Sequence, residues 1–151
     1  MRKILTLVSV ILAALSSSTV YADGDNYTSI NGTGCQAYYA GEKGFFENNY
    51  SGIRNVSTTS RIVSCPIDKD VVSALGGRST TWVRWGGTGT ISCTLNHWNV
   101  NMVNTFRSAS RVNTGWFSIP SDASDDFWGS ATLWCSLPAG GTLQTVHFLE
   151  N

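Results

Sequence analysis

Thr90-Ile91-Ser92-Cys93-Thr94-Leu95-Asn96-His97 and Ser130-Ala131-Thr132-Leu133-Trp134-Cys135-Ser136-Leu137 are the two stretches whose reading decides the fold. In the first, Ile91, Cys93, Leu95 and His97 alternate with Thr90, Ser92, Thr94 and Asn96. In the second, Ala131, Leu133, Cys135 and Leu137 alternate with Ser130, Thr132, Trp134 and Ser136. Successive side chains of a strand point to opposite faces, so a period of two marks half-buried strands of an antiparallel sheet. Weaker versions of the pattern predict strands over 35–39, 52–57, 60–67, 79–85, 102–112, 114–119 and 142–149. Turn chemistry separates them at Pro120-Ser121-Asp122, at Pro138-Ala139-Gly140-Gly141 and at Gly86-Gly87-Thr88-Gly89, the last read as a hairpin turn. Only 68–75 reads as a helical turn, with Asp68 as its cap. Eight or nine short strands with regular turns predict one all-β domain, an antiparallel β-sandwich or jelly roll.

Composition agrees with a single packed domain. The chain has 151 residues, 42% hydrophobic, 11% aromatic and only 13% charged, with 15 glycines. Charge at about half the usual share leaves uncharged polar groups to provide solubility. That apolar content can build a core, which excludes a disordered chain, and the glycines exclude a coiled coil. Arg2 and Lys3, the apolar run from Ile4 to Leu15 and the ending Val20-Tyr21-Ala22 have the order of a secretory signal peptide. Residues 1–22 are therefore expected to be removed, leaving 23–151 as a domain secreted or held in the periplasm. The twelve-residue run is too short for a membrane span, which needs about 20 apolar residues. Without Arg2 and Lys3, ten basic residues become eight against ten acidic ones, a net charge of −2. Neither nucleic acid nor an anionic membrane is expected as a partner.

The four cysteines, Cys35, Cys65, Cys93 and Cys135, all lie in the mature part. An even number in an exported chain reads as two disulfides with three connectivities open. The favoured one is Cys35 with Cys65 and Cys93 with Cys135, because the last two hold matching positions on similar strands. Each bridge contributes about 3–4 kcal/mol in the chain-entropy picture. Close Cys pairs are lacking, so no zinc site is expected, and no cysteine is left over as a nucleophile.

The frame Gly34-Cys35, Cys65-Pro66-Ile67-Asp68-Lys69-Asp70, Ser92-Cys93-Thr94-Leu95, Cys135-Ser136-Leu137-Pro138 and Leu149-Glu150 resembles a loose group of small exported bacterial proteins with four cysteines and a Cys-Pro motif. The likeness spans nearly the whole mature chain on short motifs, and Lys69 stands where the group often has arginine. It implies fold, disulfides and export, and no activity. A bacterial source makes the sequons at Asn26, Asn31, Asn49 and Asn55 incidental.

Catalytic constellations are weak. No G-x-S-x-G elbow accompanies His97 or His147, and His97 falls on the apolar phase of its strand, as a packed histidine does. Glu42, Glu47, Asp68, Asp70, Asp122, Asp125, Asp126 and Glu150 lie in turns or ends, so no carboxylate pair stands out for glycoside hydrolysis. Asp122-Ala123-Ser124-Asp125-Asp126 lacks the spacing of a calcium loop. No enzyme activity, metal or cofactor is expected. Arg54, Arg61, Arg78, Arg84, Arg107 and Arg111 scatter through strands and read as solvated positions and edge protection.

The tryptophans carry more. Trp82, Trp98, Trp116 and Trp134 fall on the polar phase of their strands, among Ser, Thr and Asn. Flat rings beside hydroxyls grip sugar faces, the ring covering C–H groups while its neighbours hydrogen-bond hydroxyls. These four are the candidate ligand-binding residues, for a glycan or cell-surface ligand. Two other readings stand beside it. The rings cover a sheet face structurally, or they form an interface with a protein partner or a second copy of the chain. A non-catalytic secreted binding module is the expectation, a structural or self-assembling domain its alternative, and a small hydrolase the last.

Overall fold

A computed structural model describes residues 26–67, 79–98, 103–120 and 130–150. The stretch 1–22 read as a signal peptide, the stretch 68–75 read as a helical turn, Arg78, the acidic run at 122–126 and Trp128 lie outside these. The strands are β1 (Asn26–Asn31), β2 (Gln36–Ala37), β3 (Phe46–Asn49), β4 (Gly52–Asn55), β5 (Arg61–Ile67), β6 (Ser79–Gly86), β7 (Thr90–Trp98), β8 (Asn104–Val112), β9 (Gly115–Pro120), β10 (Ser130–Leu137) and β11 (Thr142–Glu150). They form two antiparallel sheets. One has the order β3-β4-β11-β6-β9, with β1 also on β11; the other runs β2-β5-β10-β7-β8. The architecture is the expected β-sandwich with two disulfides.

The phases read from the sequence decide what faces inward. Ile91, Cys93, Leu95 and His97 of β7, with Ala131, Leu133, Cys135 and Leu137 of β10, are buried. From the other sheet Val83, Trp85, Ile119, Val146 and Phe148 are buried in the same core. His97 packs near the ring of Phe148, at 6.2 Å between centroids. Both disulfides lie within the five-stranded sheet and are buried. Cys93 and Cys135 are direct partners in the β7–β10 ladder and are joined, while Cys35 joins Cys65 just ahead of the β2–β5 pairing.

Two features differ from expectation. Gly86–Gly89 is not a hairpin turn, because β6 belongs to the six-stranded sheet and β7 to the five-stranded one. The segment arches over the end of the sandwich, and local turn chemistry alone does not distinguish an arch from a hairpin. Strands β1 and β3 are not legible in the sequence: β1 reads NYTSIN and β3 reads FENN, neither with an apolar alternation.

Asn55 holds the crossing between the sheets. Fully buried, its Nδ2 donates to the carbonyls of Thr59 and Leu137 at 2.8 and 2.9 Å, and its Oδ1 accepts from Ser57 N and Oγ at 3.0 and 2.7 Å. A buried amide satisfied in this way fixes the β4–β5 turn against the end of β10. It also leaves this sequon asparagine without exposure for a glycan.

Candidate functional site

The outer face of the five-stranded sheet presents Trp134 at its centre. In the ladders Trp134 lies between Ser64 of β5 and Thr94 of β7, and Thr94 is opposite Ser108 of β8. Because its neighbours Leu133 and Cys135 face the core, the pleat turns the indole outward. The ring of Tyr38 meets it edge-on at 5.4 Å, and Phe106 of β8 is tilted 44° to it at 6.2 Å. Tyr39 packs edge-on against Tyr38 at 4.8 Å.

Beside the indole opens a groove of about 310 Å³, lined by Tyr38, Tyr39, Ile62, Ser92, Thr94, Trp134 and Ser136. Its lining carries hydroxyls and rings and no charged group. Thr94 and Ser108 share a hydroxyl–hydroxyl hydrogen bond of 2.9 Å, which sets the polar rim beside the indole. Asn96 lies one row along, opposite Thr132 and Phe106, and is nearly buried. Its Oδ1 has no hydrogen-bond partner among the described residues.

The groove wall is held from behind. After β2 the chain makes a short 3-10 turn over Ala40–Phe45. Arg61 of β5 pairs with Glu42 of that turn and lays its guanidinium over Phe45, 4.2 Å from the ring centre. The ion pair is half-buried, and the stacked planar group adds to it. Arg61 therefore fixes the segment that carries Tyr38 and Tyr39. This corrects the reading of Arg61 as a solvated or edge position, since β5 is an interior strand. Arg107 and Arg111 do lie on the edge strand β8.

The four candidate tryptophans do not share one face. Trp134 and Trp98 lie on the outer side of the five-stranded sheet, Trp98 at the end of β7 and about 13 Å along the strand from the Trp134 row. Trp82 and Trp116 lie on the outer side of the other sheet, so the sandwich separates them from the first pair. Phase analysis assigns a residue to the polar side of its own strand, but it cannot tell which sheet that strand joins. Tyr38, Tyr39 and Phe106 join the site without having been expected there. For Phe106 the signal is present in the sequence, because it shares its phase with Ser108 and Ser110 just as Trp134 does with its polar neighbours.

On the second face, Trp82 is opposite His147 and Ser118, and Arg84 is opposite Thr145 and Trp116. The indole of Trp116 reaches across β6 and meets His147 edge-on at 4.9 Å. Burial lowers the His147 pKa below its ordinary value, so at neutral pH this contact joins two uncharged rings.

No protein-family model matches the chain, and no curated protein matches it. Similar solved structures do exist. The xylan-binding module CBM15 superposes with a TM-score of 0.53, at 7% identity, over 84% of this chain and 97% of that one. The CBM36-1 domain of a multidomain xylanase from the hindgut metagenome of Trinervitermes trinervoides gives 0.46 at 10% identity, covering 82% and 96%. A glycosylation-associated protein complex from Streptococcus agalactiae gives 0.48 at 14% identity, covering 85% and 26%. The first of these likenesses is one of fold, the two-sheet sandwich.

Proposed function

We propose that this protein is a non-catalytic, exported glycan-binding module whose ligand is a neutral polysaccharide chain lying across the outer face of the five-stranded sheet. The observation that carries the reading is the outward indole of Trp134, flanked by the rings of Tyr38 and Phe106, in a groove lined by Tyr38 and Tyr39 whose other polar groups are hydroxyls and whose lining holds no charge. An aromatic floor with a hydroxyl rim suits the alternating C–H and O–H faces of an uncharged sugar. Trp98, in line along the same face, extends the platform beyond a single ring. The fold is one on which a xylan-binding module is built, but the reading rests on the site, since folds host many functions. Strand addition by a second copy at the β8 edge is disfavoured by Arg107 and Arg111 there.

A microarray of neutral polysaccharide fragments, probed with the oxidised protein, tests the proposal. At least one neutral glycan is expected to be retained. Its affinity is expected to fall about 30-fold in Trp134→Ala, as for truncation of a central binding aromatic. Retention of no neutral glycan, or unchanged retention by Trp134→Ala, would overturn it.

A further inference from the structure

We propose that the outer face of the six-stranded sheet is a second saccharide site, selective for sugars bearing a carboxylate, with Arg84 as the anion anchor and Trp82 as the stacking ring. It lies on the opposite side of the sandwich from Trp134 and does not depend on the neutral-glycan reading. Trp82 is 43% exposed and Trp116 39% exposed. The guanidinium of Arg84 lies 5.7 Å from the centre of the Trp116 ring, which holds it against the sheet. Beside it opens a groove of about 270 Å³ lined by Asn31, Tyr50, Ser51, Arg84, Gln144 and Thr145.

The electrostatics of this groove differ from those of the first. Arg84 is its one charged lining residue and has no ion pair among the described residues. The nearby Arg54 does not line this groove, and it has Glu47 opposite it in the β3–β4 ladder. An uncompensated guanidinium presents a planar fork of donors that matches a carboxylate in a bidentate way. Around it stand uncharged hydrogen-bonding groups: the amides of Asn31 and Gln144, the hydroxyls of Ser51 and Thr145 and the phenol of Tyr50, which is 99% exposed. A uronic acid offers a sugar ring, its hydroxyls and one anion; the face supplies aromatic rings, and the groove supplies hydrogen-bonding partners and one cation.

Isothermal titration with tetragalacturonate and with its fully methyl-esterified form tests this, since the ester keeps the rings and removes the charge. Tetragalacturonate is expected to bind and the ester to bind at least about tenfold more weakly. Arg84→Gln is expected to weaken tetragalacturonate binding by about tenfold or more, and Arg84→Lys by less, because the lysine keeps charge without the fork. Trp82→Ala is expected to weaken it too, while Trp134→Ala leaves it unchanged. Thermal unfolding of each variant checks that the fold is kept. Absence of tetragalacturonate binding, equal binding of the ester, or binding unaltered by Arg84→Gln would overturn the proposal. Loss through Trp134→Ala instead would place the acidic sugar in the first groove and equally overturn it.

Discussion

Leu133→Ala is expected to destabilise the protein by about 2–5 kcal/mol, while Trp134→Ala, one position along the same strand, is expected to cost only about 1–2 kcal/mol. The two side chains leave the backbone of β10 on opposite faces. Leu133 is fully buried between the sheets, where truncation removes apolar contacts and leaves a cavity. Trp134 keeps part of its ring in solvent and touches Tyr38 and Phe106 only at their edges or at a tilt. Its loss is therefore larger than for an isolated surface residue and smaller than for a core one. Chemical denaturation of both variants gives the comparison. Equal losses would mean that the indole is a packing element, and the groove would then have no ring to offer a ligand.

Gly52→Ala is expected to cost about 2–6 kcal/mol, for reasons of both space and conformation. Gly52 opens β4 with φ of 136°, a region L-residues rarely adopt. A Cβ there would lie 2.0 Å from the carbonyl oxygen of Leu143. The crowding has a topological cause. One edge of β11 is shared, with β4 pairing Thr142 and Leu143 and β1 pairing Thr145–Glu150, and a bulge falls between Leu143 and Thr145. At that handover the chain before and after the exchange must approach the backbone of β11 closely. Gly44, by contrast, has nothing within 4 Å of the place a Cβ would occupy, and Gly44→Ala is expected to change stability by no more than about 0.5 kcal/mol. Unfolding midpoints of the two alanine variants check this, and a mild Gly52→Ala would contradict the close approach.

The alternation in β7 and β10 is legible because both strands are central in their sheet, with one face on the core and one in solvent. Their inward residues, His97 included, are buried as the phase requires. The phases of Trp82, Trp116 and Trp134 are legible because their strands, including the edge strand β9, likewise keep one face on the core and one in solvent. Their distribution between two faces is not, because it depends on long-range pairing, in which the connections after β4, β6, β8 and β10 each cross between the sheets. Strand β1 is silent in the sequence for a physical reason. It is held by its ladder with β11 rather than by an apolar pattern of its own, and ladder hydrogen bonds leave no mark on side-chain composition. Tyr38 and Tyr39 stand in the groove between β2 and a 3-10 turn anchored by Arg61, an arrangement that strand periodicity does not encode.

The central claim is that a neutral glycan lies on Trp134. The most direct measurement is a titration of 15N-labelled oxidised protein with the neutral glycan retained on the array, following the tryptophan indole N–H signals. The account predicts that the Trp134 signal moves most and saturates, that Trp98 moves with it, and that Trp82, Trp116 and the buried Trp85 stay in place. Movement confined to Trp82 and Trp116, with Trp134 unmoved, would contradict it.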